Sequence, residues 1–172
     1  MTKKPTPTKS THKERPPSKA QAEIERIIAT HGDMLFDLCE SILWDPAGVP
    51  YVFREILKEL GKSLPSEGYK TYERAWVLRV AAEKLQDLST RFSRVISPSE
   101  QIELDGKPET QRIKQFEHYF HRLDVTDRIL FLLKDKYGLP LSEISNALGE
   151  PEGSLKLRRN QSLRTLEDWL WD

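Results

Sequence analysis

Apolar residues recur at intervals of three and four along most of this 172-residue chain, and the strict alternation of a half-buried strand is scarce. The pattern predicts an all-α fold. Ile24, Ile27 and Ile28 open a first stripe, which Met34, Leu35, Leu38, Ile42 and Leu43 continue past His31-Gly32 until Asp45-Pro46 ends it. A helix starting near Pro50 buries Val52, Phe53, Ile56, Leu57 and Leu60 and stops at Gly61. The next runs from about 72 to 91. Further on, Ile113, Phe116, Phe120 and Leu123 form one stripe, and Ile129, Leu130, Leu132 and Leu133 form another that ends at Tyr137-Gly138. A short helix over 141–148 and, after Gly149-Glu150-Pro151, a last one over 152–169 complete the set. No internal repeat is present.

Two stretches break the periodicity. Between Met1 and Ala20 there is no apolar residue, only Lys, Thr, Ser, Pro and their like, too little apolar surface to offset the entropy of ordering. Residues 1–20 are therefore expected to be a disordered basic tail. From Ser97-Pro98-Ser99 to Gly106-Lys107-Pro108 the chain is polar and broken by prolines, which suits a flexible linker over 95–110 between helical units at 21–94 and 111–172.

Charge sharpens that division. The 27 basic and 27 acidic residues cancel over the whole chain. Residues 1–20 carry 6 basic and 1 acidic groups, residues 21–100 carry 10 and 13, and residues 101–172 carry 11 and 13. A +5 tail thus precedes two mildly acidic units, so any affinity for nucleic acid must come from local placement of Lys and Arg. Cys39 is the single cysteine, which excludes an intrachain disulfide framework and suggests a reducing compartment. The longest aliphatic and aromatic run, Ile129 to Leu133, is far short of the roughly 20 residues that span a bilayer. A cytoplasmic location is expected.

Catalysis has no candidate constellation. Gly61-Lys62-Ser63 imitates the end of a phosphate-binding loop, yet Ile56 stands where the earlier glycine is needed. His118 and His121 lie three apart on a helix with no cysteine to complete a metal set, and read as a surface or hydrogen-bonded pair. Cys39 falls on an apolar face and reads as a small core residue, as Trp76 reads as partly packed beside Val77 and Val80. Trp169 and Trp171 fit either docking of the last helix or an external contact. No cofactor, no metal and no enzymatic activity are expected.

The most specific segment is Leu139-Pro-Leu-Ser-Glu-Ile-Ser-Asn-Ala-Leu-Gly-Glu-Pro-Glu-Gly-Ser-Leu-Lys-Leu-Arg-Arg159. A short helix, a glycine-containing turn and a second helix with Lys and Arg form the helix-turn-helix layout, whose second helix enters the major groove. Ile144, Leu148 and Leu155 are spaced to pack together. Lys156, Asn160 and Arg164 lie four apart and share a face with Gly153, Leu157 and Gln161. Asn and Gln pair bidentately with adenine, and Lys approaches guanine or phosphate.

With the preceding Leu123, Arg128 and Leu132, the motifs Glu143-Ile144, Leu148-Gly149 and Gly153-Ser154-Leu155-Lys156 resemble the fourth conserved region of bacterial sigma factors of the extracytoplasmic-function (ECF) group. The first half resembles the second region of the same family. There His31-Gly32, Leu35-Phe36, Leu38-Cys39, Leu43 and Asp45 match its opening helix, and Trp76-Val-Leu-Arg-Val-Ala81, followed by Asp87 and Arg91, matches its tryptophan-led helix. The resemblance covers about 22–94 and 112–170. It implies a sigma factor that binds core RNA polymerase and directs promoter-specific initiation, with an anti-sigma protein as a further partner. On the recognition helix it implies promoter contacts by Ser154, Lys156, Leu157, Asn160, Gln161 and Arg164, and on the tryptophan-led helix by Arg79, Lys84 and Arg91. It assigns Tyr51, Arg54, Glu55 and Lys58 to the polymerase clamp. Some positions depart from the family: Ala82-Glu83 stands where an Arg-Asn pair usually follows the alanine, and Tyr51 and Arg54 stand where an acidic residue and a glutamine are usual. These departures open the alternative of a sigma-like regulatory module that has lost promoter opening.

Overall fold

The computed structural model describes residues 18–65, 69–92 and 107–171, and among these all regular structure is helical. Helix α1 (Lys19–Ile42) starts where the Ser18 hydroxyl accepts the Gln21 amide at 3.2 Å, satisfying one of the donors that every helix start leaves free. Its buried face carries Ile27, Leu35, Leu38, Cys39 and Ile42. The Asp45 carboxylate accepts the Ala47 amide at 2.9 Å, and with Pro46 it shapes a short 3₁₀ turn, Pro46–Gly48, into α2 (Val49–Lys62). Gly48 is required there because a Cβ would sit 2.4 Å from the Phe92 ring. A second 3₁₀ turn, Tyr69–Tyr72, precedes α3 (Glu73–Phe92), whose last carbonyl returns to accept the Asp45 amide at 3.2 Å.

The second half begins with α4 (Pro108–Arg122), which takes in Pro108, Glu109 and Thr110, residues the sequence pattern placed in the linker. Proline at the first helical position loses no hydrogen bond and has φ already set, so it starts the helix. The linker residues 95–106, like most of the basic tail, lie outside the described residues, whereas Lys19 and Ala20 already belong to α1. Helix α5 (Val125–Phe131), capped by the Asp124 carboxylate on the Thr126 amide at 2.9 Å, runs into a π-helical stretch, Leu132–Lys136. Then come α6 (Leu141–Leu148) and α7 (Glu152–Trp171).

Both halves feed one hydrophobic cluster. Leu35, Leu38 and Ile42 of α1, Val52 and Ile56 of α2, and Val77, Leu78 and Leu85 of α3 share it with Ile129, Leu130, Leu133, Ile144 and Leu155. A smaller cluster of Phe120, Leu123, Phe131 and Leu166 joins α4, α5 and α7, and the half-buried Trp169 packs against it. The Arg122 guanidinium lies 4.3 Å over the Trp169 ring, so this tryptophan docks the last helix, whereas Trp171 is 87% exposed. Trp76 packs partly against the main cluster.

Cys39 is fully buried, and desolvation, with a smaller contribution from Glu40, pushes its thiol up to about 12. The thiolate is the reactive form. A thiol reagent at about pH 8 is therefore expected to leave the native protein unmodified and to label it once denatured; stoichiometric native labelling would contradict the placement.

Candidate nucleic-acid interface

Helix α6, the turn and α7 form the helix-turn-helix, and local chemistry explains the turn. Gly149 caps α6 at φ +69°, the left-handed region that a side chain disfavours, and its amide donates to the Ser145 carbonyl at 2.8 Å. The Ser145 hydroxyl donates to the Glu150 carbonyl at 2.7 Å, and the Pro151 carbonyl accepts the Leu155 amide at 3.1 Å. Ile144 and Leu155 are fully buried against each other's elements, with Leu148 packed on the same cluster. The orientation of α7 follows from that anchoring.

An α-helix turns by about 100° per residue. Leu155, Ser162 and Leu166 therefore face inward together, and Gly153, Lys156, Leu157, Asn160, Gln161 and Arg164 face outward, all of them exposed, as is Ser154. The structure thus brings all six expected recognition-helix residues to one surface. Arg158 and Arg159 do a different job: Arg158 Nε lies 3.2 Å from Asp127 and 3.9 Å from Glu150, and Arg159 forms a forked pair with Asp135. These two arginines fasten α7 to α5, to the π-helical stretch that follows it and to the turn.

The residues expected on α3 are placed less uniformly. Arg91 is exposed, as is Glu83. Lys84 pairs with Glu59 of α2 at 3.3 Å. Arg79 donates from Nε and Nη2 to the Asn146 carbonyl of α6 at 3.1 and 2.7 Å. On α2, Tyr51 and Arg54 are exposed, Tyr51 resting beside the Phe92 ring at 5.7 Å, and Lys58 bonds Glu55 at 2.5 Å. That hydrogen bond holds the Glu55 carboxyl below the usual carboxylate range.

Contacts between the halves are what the sequence did not reveal. Arg74 grips Glu143 with both Nε and Nη2, and Lys136 and Tyr137 bond Asp37, the former at 2.7 Å. Glu73 is buried between Arg26 and His31, and chiefly the Arg26 bond lowers its pKa. Arg128 is buried and donates from Nη1 to the Ile42 carbonyl at 2.5 Å, while its Nε has no partner. Arg128 Nη1 also lies 3.0 Å from His121 Nδ1, and the His121 ring meets Trp44 edge-on at 4.8 Å.

Burial first, and the Arg128 charge second, press the His121 pKa from 6.5 down to about 4. The unfolded chain takes up this proton before the folded one does. Neutral His121 thus contributes stability that is complete above 6.5 and is lost as pH falls toward about 4. Glu73 adds its loss only below its ordinary value of 4.5. The melting temperature is expected to fall between pH 6.5 and 4.5, and His121→Asn is expected to flatten that part of the profile; an unchanged slope in the variant would assign it elsewhere. Among the described residues no group of three or more His, Cys, Asp or Glu is arranged to hold a metal ion, and no helix is long and apolar enough to cross a membrane.

Among solved structures, the chain is similar to CnrH, recorded as the structure of CnrH in complex with the cytosolic domain of CnrY, with a TM-score of 0.66 over 87% of this chain and 88% of that one. The two share a fold. Their sequences are 19% identical. No protein-family model matches the chain, and no curated protein matches it either. The likeness to CnrH reaches from the N-terminal helices through the helix-turn-helix, because a match over 87% of the chain takes in both halves.

Proposed function

We propose that this chain is an ECF-type sigma factor that binds core RNA polymerase and directs promoter-specific initiation. The observation that carries the reading is the outward face of α7, six exposed residues on a helix that the turn and two arginine ion pairs hold rigidly. The shared fold supports it, since CnrH is an ECF sigma factor. In this reading segments 21–94 and 111–172 act as two units, α7 reads the upstream promoter element, and α3 engages the downstream one through Arg79, Lys84 and Arg91. Tyr51, Arg54, Glu55 and Lys58 meet the polymerase clamp. Using Arg79 on DNA requires α6 to leave α3, because its guanidinium is otherwise spent on Asn146. The linker threads along the polymerase. Two mildly acidic units bind free DNA weakly, and tethering both to polymerase supplies the effective concentration.

CnrH was solved with the cytosolic domain of CnrY, and we extend a partner of that kind, an anti-sigma protein, to this chain. The site of action is the cytoplasm, and no cofactor takes part. One observation favours a second reading: Glu83 is exposed on α3, where a carboxylate repels phosphates. A regulatory module that docks on polymerase without opening promoters accommodates it. Copurification with core polymerase followed by in vitro transcription from a promoter library decides between the two. Promoter-dependent transcripts support the sigma factor, core binding without them supports the regulator, and no core binding sinks both.

A further inference from the structure

We propose that the duplex element under α7 is centred on A·T base pairs and that Leu157 selects a thymine there through its 5-methyl group; this rests on the reading of α7 as a recognition helix. Leu157 lies two residues from the buried Leu155, about 200° around the helix, and so points almost directly away from the core. It is 60% exposed. Three other exposed large apolar residues have aromatic company, since Phe36 meets Phe53 at 5.4 Å, Tyr51 meets Phe92 at 5.7 Å and Phe116 stacks on Phe120 at 5.7 Å, while Tyr72, Ile113 and Trp171 are exposed as Leu157 is. On the outward face of α7 Leu157 is flanked by Lys156, Asn160, Gln161 and Arg164, and it stands at the rim of a groove that Leu123 and Trp169 also line.

That setting decides the occupant. A protein partner wants a cluster of exposed apolar anchors, whereas the apolar neighbours of Leu157 across the groove, Leu123 and Trp169, are buried and half-buried, and the next exposed one on the helix, Trp171, stands 14 residues on, about 21 Å along the axis. One methyl-sized contact bracketed by amides matches the major-groove edge of an A·T pair, where adenine offers N6 and N7 to Asn or Gln and thymine offers its methyl. Charge agrees as well. Between Glu152 and Glu167 the helix has Lys156, Arg158, Arg159 and Arg164 and no acid. The groove of about 480 Å³ along one flank of α7, which Leu157 and Gln161 border, holds Asp124 beside the Arg158 pairs with Asp127 and Glu150, so the unpaired cations Lys156 and Arg164 lie on the opposite flank, where phosphates meet them.

The test uses the full chain with core polymerase and a randomised duplex DNA library. Enriched duplexes are expected to share an A·T step, and replacing one thymine in it by deoxyuridine, which lacks only the methyl, should weaken wild-type binding about fourfold, the worth of one buried methyl(ene). Leu157→Ala, an exposed substitution whose fold is checked by circular dichroism, should bind the thymine and uracil duplexes equally. A G·C centre, or a uracil penalty that persists in Leu157→Ala, overturns the assignment of Leu157 while leaving the recognition helix intact. Enrichment of no sequence by a folded chain bound to polymerase overturns the recognition helix itself, and this inference with it.

Discussion

Alanine at both Lys156 and Arg164 is expected to lower affinity for the cognate duplex about 100-fold while leaving the melting temperature and the affinity for core polymerase nearly unchanged. A good base contact is worth roughly 1 to 3 kcal/mol and each 1.4 kcal/mol is a factor of ten, so two contacts of about 1.4 kcal/mol each, well inside that range, reach that loss. The residues are eight apart, two turns and about 12 Å along α7, close enough to serve one groove and far enough apart that their losses nearly add. Both side chains are exposed, and neither takes part in the ion pairs that hold α7, which fall to Arg158 and Arg159. Surface changes of that kind alter stability by no more than about 0.5 kcal/mol. If either residue meets phosphate, the slope of log affinity against log salt should fall by about 0.9 per contact. Fluorescence anisotropy on the duplex, beside a core-binding assay, reads both effects. An equal loss of core binding would show that the face had been misassigned.

How much of this was legible in the sequence depends on range. The helices were, because the apolar period, Asp45-Pro46 and Leu148-Gly149 act within a few residues of themselves, whereas Pro108 serves equally as a linker break and as a helix start, and the start of α4 was not legible. The turn before α7 follows from one glycine in the left-handed region and a serine that ties down the Glu150 carbonyl. Arg158 and Arg164 look alike in the sequence, yet one is half-buried between Asp127 and Glu150 and the other is exposed. Only the packing of α7 on α5 separates them. Arg74 with Glu143, Arg79 with the Asn146 carbonyl and Arg128 with the Ile42 carbonyl join residues 67 to 86 positions apart, and no local pattern carries that information. The π-helical stretch after α5 has no signature in the sequence, because its apolar residues keep the helical spacing of the stripe up to Tyr137-Gly138.

Those remote contacts carry a consequence for stability. Leu130→Ala is expected to cost about 3 kcal/mol, within the range of roughly 2 to 5 for truncating a buried leucine, and to lower the melting temperature by about 6 to 12 °C. Leu130 is fully buried, and α5 packs on α1 and α3 as well as on α7. Its side chain belongs to the same cluster as Leu35, Val52 and Leu78 of the first half. A cavity there removes contacts from both halves at once. Amide exchange in α3 should therefore accelerate along with exchange in α5 and α7, and one melting transition should report the whole chain. If the halves are held together only by their surface pairs, the truncation should instead loosen α5 and α7 while exchange in α3 stays slow. That second outcome fits two units ready to separate on polymerase, whereas the first requires polymerase or promoter DNA to supply the free energy that parts α6 from α3. Breaking the Arg74 and Glu143 pair gives the control: both groups are partly exposed, so Glu143→Gln should cost at most about 1 kcal/mol and leave the cooperativity of unfolding intact.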